Sequence, residues 1–506
     1  MMKNIKYLIV VMTIFTMVSG CKKFLNVTPI DALSGNNFWQ TREDVEGFTN
    51  GIYSRLRTKI GGSVMMPALD IRGNFVKVVG TVDGSGNNQV NALISNNLKP
   101  MVTGTSTYDG RFRAIMDWKA WYDIIAASNI LYVEVDKVPA SILSDTDKKR
   151  YKAEAVFTRN LSYMFLCKLF GDAIYYTNAY NSVALPRTPQ VEVMNKCIAD
   201  MSAAKNDLPT SYTESSLIGV RPTKASAVAL LMHLNMWAAA WDEGNKANYY
   251  ESVLTLAEEM ATYTNYRVLP ITVENTKAIF KGRTPENLFG VLQDFNYGEV
   301  FSEFSNLSFY FSHYPYRGQV TKTTSFMTFE RDYITKLFPA GSPDARLATW
   351  FENYNSDNTS FQFKKYINVY ATGSGSSLNV KSDDSAIIFR LPDALLLAAE
   401  AAAELGRDVI ARGYVNQVRE AASALPITTS GEMLKVEIYQ ERCRELIGEG
   451  HFFFDLVRTK RAVDSEFTKS VISVGNFNNG AWTWPLTISA TERAANPKLV
   501  GNTFWN

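Results

Sequence analysis

Acidic and basic side chains crowd one segment near the C-terminus, where their spacing could support general acid–base chemistry. In a helix, Glu441, Glu445 and Glu449 recur every four residues and lie on one face, with His451 close behind. The same segment supplies arginines that can pair with these carboxylates. We therefore predict a structural ion-pair network and no catalytic residue. Its predicted members are Glu441, Arg442, Arg444, Glu445, Glu449, Asp455 and Arg458.

Two loop-like segments combine aromatic rings with planar polar groups, which is the combination that binds sugars. Aromatic faces stack on the C–H faces of sugar rings, while carboxylate, amide and guanidinium groups bridge neighbouring hydroxyls. Aromatic residues make up 12% of the chain, more than core filling obviously requires. The predicted ligand contacts are Asp70, Arg72, Asn74 and Phe75 in one segment, and Asp294, Asn296, Tyr297, Tyr314, Tyr316 and Arg317 in the other.

One short polar segment spaces its oxygen donors as a calcium loop does, with Asp83, Ser85 and Asn87 at alternate positions. The sixth position is Asn88 instead of glycine, and the twelfth is Ile94 instead of glutamate. We therefore expect a polar turn without a metal ion. The sequence contains no HExxH, GxSxG, Walker A or GxGxxG signature, and we predict no cofactor.

The N-terminus predicts export and a lipid anchor. Two lysines precede an uncharged stretch from Tyr7 to Val18, which is too short to span about 30 Å of hydrocarbon. The small residues before Cys21 are typical of a lipobox, so we expect acylation of Cys21; a plain secretory signal is the alternative. Loss of residues 1–20 removes two lysines, so the formal net charge falls from +2 to zero. A protein without net positive charge has no broad field that attracts the phosphates of nucleic acid, and we predict no nucleic-acid partner. At least one of the three remaining cysteines must be a free thiol: Cys167, Cys197 or Cys443.

Helical periodicity covers most of the mature chain and predicts a mostly α fold. Thr41 can cap a first helix, and Pro222 can open another. Helices joined by short connections favour tetratricopeptide-like pairs with a large irregular lobe, although no clean repeat of about 34 residues is present. Short strands are expected around 287–292 and 386–390. The predicted organisation is a signal peptide (1–20), a lipidated tether (21–40), a helical region (41–262) with a loop insertion (61–110), an aromatic, loop-rich ligand-binding lobe (263–390), and C-terminal helices with a tail (391–506).

Several ordered segments match one family pattern. The clearest runs from Glu441 to Arg458 and corresponds to "ERr.EL..EG.r..DL.R". The mature start CKKFLNVTP, the helix from Trp118 to Asn129 and the stretch from Leu169 to Asp172 match further parts, whereas Asn26 and Cys443 depart from the pattern. Together these segments resemble the SusD/RagB family of Bacteroidota outer-membrane lipoproteins.

This resemblance implies a non-catalytic protein on the outside of the outer membrane. Such a protein captures oligosaccharides and delivers them to a partner transporter of the SusC-like, TonB-dependent class. Two alternatives remain open from the residues. A glycoside hydrolase on a helical scaffold would need two carboxylates about 5–10 Å apart in a cleft. A peptide-binding or structural lipoprotein of the same type of import complex would need no sugar contact.

Overall fold

The computed structural model is predominantly helical. It describes residues 38–80, 87–103, 110–298, 305–316, 324–355, 360–486 and 488–505. Every helix within these ranges is too short or too polar to cross a membrane. The predicted signal peptide and Cys21 lie outside the described residues, so the lipid anchor stays a prediction.

Helices dominate both halves of the chain and follow the predicted periodicity. Those of the first half are α1 (Arg42–Gly61), α2 (Met65–Ile71), α3 (Asn88–Ile94), α4 (Lys99–Thr103), α5 (Gly110–Met116), α6 (Lys119–Glu134), α7 (Asp145–Phe170), α8 (Gln190–Ala204), α9 (Lys224–Trp241) and α10 (Lys246–Ala261). Those of the second half are α11 (Val273–Lys281), α12 (Ser308–Phe311), α13 (Arg331–Leu337), α14 (Ala345–Trp350), α15 (Leu391–Glu404), α16 (Asp408–Ala421), α17 (Gly431–Glu445), α18 (Phe452–Arg458), α19 (Val474–Asn478) and α20 (Ala490–Ala495).

The longer helices form a stack of neighbouring pairs. Helix α6 packs on α7, α7 on α8, α8 on α9, α9 on α10, α10 on α15, and α15 on α16. Each helix therefore buries one face on the preceding helix and another on the next, as in tetratricopeptide-like arrays. Trp121 on α6 is fully buried and stacks on Phe165 of α7, with ring centroids 5.0 Å apart. The prediction of a mostly α fold with stacked pairs is confirmed.

Local signals fix where the helices begin. Thr41 caps α1 in a capping box, because its hydroxyl accepts from the Asp44 N–H while Asp44 accepts from the Thr41 N–H. A short division separates two helices, since α5 ends at Met116 and α6 begins at Lys119. Lys59 lies at this division and donates to the carbonyls of Ala114 and Asp117 at 2.8 and 2.7 Å, which satisfies backbone acceptors at the end of α5.

Short antiparallel strand pairs complete the described part of the fold. They are β1 (Val76–Val78) with β3 (Met327–Phe329), β2 (Asn287–Val291) with β8 (Ala386–Arg390), β4 (Phe351–Glu352) with β5 (Gln362–Phe363), and β6 (Val369–Thr372) with β7 (Asn379–Ser382). Strands β2 and β8 confirm the two predicted strands. The β2–β8 ladder brings together the two ends of the intervening lobe, and β3 joins the lobe to β1.

The loop expected at 61–110 is only partly irregular. This segment contains α2, β1, α3 and α4, and every residue of α2 is buried. Helix α2 packs on α18, so Met65, Leu69 and Ile71 enter the core. The loop prediction is therefore wrong for much of this segment. Its helices and strand are short and the segment is rich in Gly, Asn and Ser, so the sequence shows no sustained hydrophobic periodicity there.

The aromatic residues of the lobe mainly fill its own core. Phe329 stacks on Phe311 with centroids 4.5 Å apart, and Phe351 and Phe363 pack against it edge-on. All four rings are at most 3% exposed. The inference that the aromatic excess serves ligand binding is thus wrong for most of these rings. A lobe with few long helices obtains its hydrophobic core from large side chains.

Buried charges join the lobe to the C-terminal helices. Arg390, the last residue of β8, donates to both carboxylate oxygens of Glu449 at 2.7 Å and also binds Glu445 and Glu286. Lys365 approaches Glu449 from the lobe at 2.6 Å. Burial alone would raise the pKa of Glu449, but Arg390 and Lys365 outweigh it and hold the pKa at about 2.

A second group of buried charges centres on Arg442. Its guanidinium lies 2.8 Å from Asp455 and 2.9 Å from Asp393, and Arg458 pairs with Asp455 and Glu400. Helix α17 ends at Glu445, so the later Glu449 lies in the following turn and not on the predicted helical face. Every residue predicted for the ion-pair network has an oppositely charged partner: Glu441, Arg442, Arg444, Glu445, Glu449, Asp455 and Arg458.

Candidate functional site

A cleft of about 690 Å³ opens between α1, the turn around residue 216 and the end of β2. Its size falls in the range of small-ligand sites. Helix α1 supplies Tyr53 and Arg57 to the lining, and Asp294 lines the cleft beyond the end of β2. The remaining described lining residues are Asn50, Ser54, Leu56, Ser215, Ser216, Val220, Arg283, Phe289, Gly290, Val291 and Leu292.

The α1 wall is held rigidly by charges behind it. The Tyr53 hydroxyl donates to Glu154 at 3.0 Å, and the Arg221 guanidinium lies over the Tyr53 ring at 4.7 Å. Arg221 also donates to the Asn50 side-chain oxygen at 2.8 Å and to Glu46. Because Tyr53 and Asn50 are tied to this buried arginine, the wall presents a fixed pattern of polar groups to the cleft.

The 282–287 turn supplies the other basic residue of the cleft. Gly282 and Arg283 both adopt left-handed backbone, with φ of +77° and +69°. The Asn287 side chain fixes this turn by accepting from Thr284 and donating to the carbonyl of Ile279 at 3.1 Å. A side chain at Gly282 would meet Leu292, since a Cβ there would lie 2.4 Å from the Leu292 Cδ2. Arg283 is exposed and lines the cleft.

The turn that follows β2 carries an aromatic surface at the rim of the cleft. Asp294 accepts from the Asn296 N–H at 2.9 Å and so caps the short 3-10 turn Phe295–Tyr297. Phe295, next in the chain to Asp294, is 43% exposed and packs against the half-buried Tyr370 of β6, with centroids 3.8 Å apart and the ring planes tilted by 32°. A partly exposed aromatic pair beside a polar cleft can bind the apolar face of a sugar ring.

Two residues of the second predicted set, Asp294 and Asn296, lie at this rim. Asp294 lines the cleft, and Asn296 is exposed beside it. Tyr314 and Tyr316 are half-buried in the turn after α12, where Gln362 donates to the Tyr314 carbonyl at 3.2 Å. The Tyr297 side chain and Arg317 lie outside the described part of the chain. These six residues stay predicted ligand contacts.

The first predicted set is largely wrong, because the structure buries Asp70, Arg72 and Asn74. The Arg72 guanidinium donates to the carbonyls of Ala481 and Thr483 at 2.9 and 3.2 Å, which joins α2 to the C-terminal tail. Its pKa is well below the ordinary value because of burial. Asn74 donates to the Asp70 carbonyl at 2.7 Å. These side chains hold the backbone together and do not face solvent.

Phe75, the fourth member of that set, lines a separate and smaller cleft of about 280 Å³. Its ring stacks on Tyr333 with centroids 5.0 Å apart. Cys443 lines the same space, and burial raises the pKa of its thiol to about 12. Cys443 is a free thiol, as are the buried Cys167 and Cys197.

Asp70 gives a first testable prediction, since burial raises the pKa of its carboxyl to about 8. At pH values between the unfolded pKa of about 4 and this folded pKa, the Asp70 carboxyl is protonated in the folded protein and ionised in the unfolded protein. The free energy of unfolding therefore falls as pH rises through this range. Asp70→Asn removes that titration. We expect its free energy of unfolding, relative to the unsubstituted protein, to rise by up to about 1.4 kcal/mol per pH unit between pH 4.5 and 8.

Chemical denaturation of both proteins at several pH values measures this difference. Asp145→Asn is the control, because Asp145 is exposed in the first turn of α7. Its stability difference should stay level over the same range. A level difference for Asp70→Asn as well would contradict the buried, protonated carboxyl.

Among the described residues, His233, Asp393 and His451 bring three potential metal-ligand atoms within 4.8 Å of one another. Burial lowers the pKa of His233 to about 3, so its ring is neutral. One ring nitrogen lies 2.6 Å from Asp393, and Lys168 lies 3.2 Å from the other. Arg442 also binds Asp393. Burial lowers the pKa of Lys168 to about 7, so Arg442 is the permanent positive charge that opposes a divalent metal ion here. The cluster belongs to the interior charge network.

The predicted polar turn at Asp83, Ser85 and Asn87 is described only at Asn87, where the side chain donates to the Gly80 carbonyl at 3.0 Å. Asp83 and Ser85 lie outside the described residues. The absence of a metal at this turn therefore stays a prediction.

Sequence reasoning missed several cleft residues. Asn50 and Arg57 look like ordinary polar positions of an amphipathic helix, and nothing in the sequence distinguishes them. Tyr370 joins the site only because the lobe folds β6 beside the 3-10 turn. A signal did exist for Arg283, since the preceding Lys281-Gly282 is a typical helix end and predicts a turn.

Comparisons with known proteins agree with this architecture. The family model described as "SusD family" matches residues 347–505, and the model described as "Starch-binding associating with outer membrane" matches residues 79–235. A SusD-like protein of Formosa agariphila is 24% identical over 99% of both chains. A second from the same organism is 25% identical over 90% of both.

Solved structures extend the similarity to the fold. The crystal structure of a SusD homologue from Bacteroides thetaiotaomicron is 35% identical, with a TM-score of 0.84 over 93% of this chain and all of that one. A laminarin-binding SusD-like protein is 18% identical, with a TM-score of 0.69 over 92% of this chain and 99% of that one. The second likeness concerns the fold alone.

Proposed function

Because this chain belongs to the SusD/RagB family, we propose that it is a surface lipoprotein that binds oligosaccharide and delivers it to a partner TonB-dependent transporter. The family description supports association with the outer membrane. In this proposal acylated Cys21 anchors the chain, the described fold faces outward, and a SusC-like transporter receives the ligand.

The observation that carries the sugar-binding proposal is the polar cleft with a partly exposed aromatic pair, Phe295 and Tyr370, next to it. Phe295 and Tyr370 offer a flat apolar face, and Asp294 and Asn296 offer planar polar groups next to it. A sugar ring is complementary to these groups, because it has an apolar C–H face and pairs of neighbouring hydroxyls at its edge. The family description "Starch-binding associating with outer membrane" supports a carbohydrate ligand.

We propose binding without turnover. Among the described residues that line the cleft, Asp294 is the only carboxylate. Glycoside hydrolysis normally requires an acid and a second carboxylate about 5–10 Å away. The acidic residues that crowd the C-terminal segment are paired inside the protein and do not line this cleft.

Replacing the rim aromatics tests the proposed function. We expect Phe295→Ala and Tyr370→Ala each to weaken binding of the best oligosaccharide in a glycan panel roughly tenfold, because each removes half of the stacked pair. Isothermal titration calorimetry measures the affinities, and chromatography of the same mixtures should reveal no new products.

Tyr180→Ala is the matched control. Tyr180 is 64% exposed but does not line the cleft, so its removal should leave affinity unchanged. Equal affinities for all variants would contradict this site. Product formation at enzymatic rates would favour the hydrolase, and affinity for peptides in place of glycans would favour the peptide-binding alternative.

A further inference from the structure

The smaller cleft of about 280 Å³ lies between α13, α17 and the start of α18. It shares no described lining residue with the larger cleft beside α1. A cavity of about 150 Å³ is enough to bind benzene, so this space can hold one substituted aromatic ring. Its apolar and aromatic lining consists of Phe75, Tyr333, Leu337, Tyr439, Phe452 and Phe467.

Aromatic side chains surround this space in two orientations. Phe75 and Tyr333 are nearly parallel, with ring planes 22° apart and centroids 5.0 Å apart. Tyr439 and Phe467 meet edge to face, with ring planes 87° apart and centroids 5.3 Å apart. Because aromatic groups interact favourably both by offset stacking and edge to face, this lining suits a planar aromatic ligand.

The Tyr439 hydroxyl is a polar group that the fold leaves unsatisfied at this cleft. Tyr439 is 3% exposed, and its hydroxyl has no nitrogen or oxygen partner in the described part of the chain. The Cys443 thiol lies beside it but is only a weak donor and acceptor. Because a buried hydroxyl without a good partner is costly, a ligand hydroxyl that pairs with it gains affinity.

The charged residues of the lining do not favour an anionic ligand. Three carboxylates line the described part of the cleft, those of Glu330, Asp332 and Glu466, together with the ammonium group of Lys336. Lys336 lies 3.0 Å from Glu466, and Lys469 outside the cleft lies 2.5 Å from Glu330. An anion would therefore find no uncommitted cation among the described lining residues, and an uncharged ligand fits best.

From these features we propose that the smaller cleft binds one uncharged phenolic ring, of the kind that a hydroxycinnamate ester presents. The ring packs among the aromatic side chains, and its hydroxyl pairs with the hydroxyl of Tyr439. This site is independent of the proposed sugar-binding cleft and gives the protein a second class of ligand.

Three probes separate the contributions of the ring, the hydroxyl and the charge. Methyl p-coumarate carries both ring and hydroxyl, methyl cinnamate lacks the hydroxyl, and p-coumarate has a carboxylate in place of the ester. We expect methyl p-coumarate to bind about fivefold more tightly than methyl cinnamate, because it alone of these two esters can pair with Tyr439. It should also bind more tightly than p-coumarate. Titrations followed by ligand-observed NMR measure the three affinities.

Tyr439→Phe is the decisive variant, because it removes only the hydroxyl. Its denaturation midpoint should not fall, since that hydroxyl has no nitrogen or oxygen partner among the described residues, but the preference for methyl p-coumarate over methyl cinnamate should disappear. Tyr250→Phe is the matched control, because Tyr250 is buried on α10 and does not line this cleft. It should keep the preference.

Phe75→Ala should weaken binding of both esters about tenfold, because it removes one ring of the parallel pair. Equal affinities for the two esters, a preference that survives in Tyr439→Phe, a lowered midpoint of that variant, or unchanged affinities in Phe75→Ala would overturn the inference. Absence of binding of either ester would overturn it as well. These outcomes leave the sugar-binding proposal standing, because neither Tyr439 nor Phe75 lines the larger cleft.

Discussion

Arg390→Leu is expected to lower the free energy of unfolding by about 3–5 kcal/mol. The guanidinium is 3% exposed and pairs with three buried carboxylates, those of Glu286, Glu445 and Glu449. Leucine fills part of the space but leaves these carboxylates with too little positive charge around them. Lys365 remains beside Glu449, but it has to balance a larger excess of negative charge. Guanidinium chloride denaturation followed by circular dichroism measures the loss.

A chemically matched ion pair on the surface provides the control. Arg407 donates to both carboxylate oxygens of Glu251, as Arg390 does to those of Glu449, but Arg407 and Glu251 are 42% and 47% exposed. Water solvates both charges after Arg407→Leu, so the expected loss is below about 1 kcal/mol. Similar losses for the two variants would contradict the view that burial determines the effect.

Gly448→Ala is expected to cost about 3 kcal/mol for two independent reasons. The residue has φ of +90°, a conformation that costs an L-residue about 1–2 kcal/mol. A Cβ would also lie 2.8 Å from the Tyr366 ring and 3.2 Å from the Phe363 ring, and overpacking of this kind costs about 1–3 kcal/mol. Gly448 lies directly before Glu449, so a shift of the backbone also displaces that carboxylate from Arg390. Thermal and chemical denaturation measure the combined loss.

Gly406→Ala separates the two contributions. Gly406 has φ of +71°, but a Cβ there meets nothing within 4 Å. It therefore adds backbone strain without a clash, and the expected loss is about 1 kcal/mol. If both substitutions cost the same, contact with Tyr366 and Phe363 contributes nothing and the packing argument fails.

The parts of the fold that could be predicted are those with local signals. Helical spacing located the stacked helices, the side-chain pattern located β2 and β8, and Thr41 marked the first cap. The charges between Glu441 and Arg458 are close enough in sequence to predict that they pair. Their strongest partner was not predictable in this way, since Arg390 comes from a distant strand.

The parts that could not be predicted depend on contacts between distant segments. Arg72 looks like an exposed loop residue in the sequence, yet its guanidinium binds carbonyls of the C-terminal tail. Phe295 and Tyr370 come from distant segments, and their rings contact each other only in the folded lobe. Neither Arg57 nor Arg283 carries a local mark of binding. The aromatic excess was real, but composition cannot distinguish a ring that packs the lobe from one that faces a ligand.

The single ladder between β2 and β8 has a consequence for how the protein folds. Its partners Asn287 and Arg390 are about a hundred residues apart, so their pairing requires closure of a long loop with a large entropic cost. Helices α6 to α10 pack on their neighbours in sequence and can form first, whereas α15 contacts α10 from beyond the lobe. Closure of the ladder then brings Arg390 within 3.1 Å of Glu286 and completes its desolvation. We infer that helices α6–α10 are the early folding unit and that the lobe, with the cleft wall it carries, is ordered later together with α15 and α16.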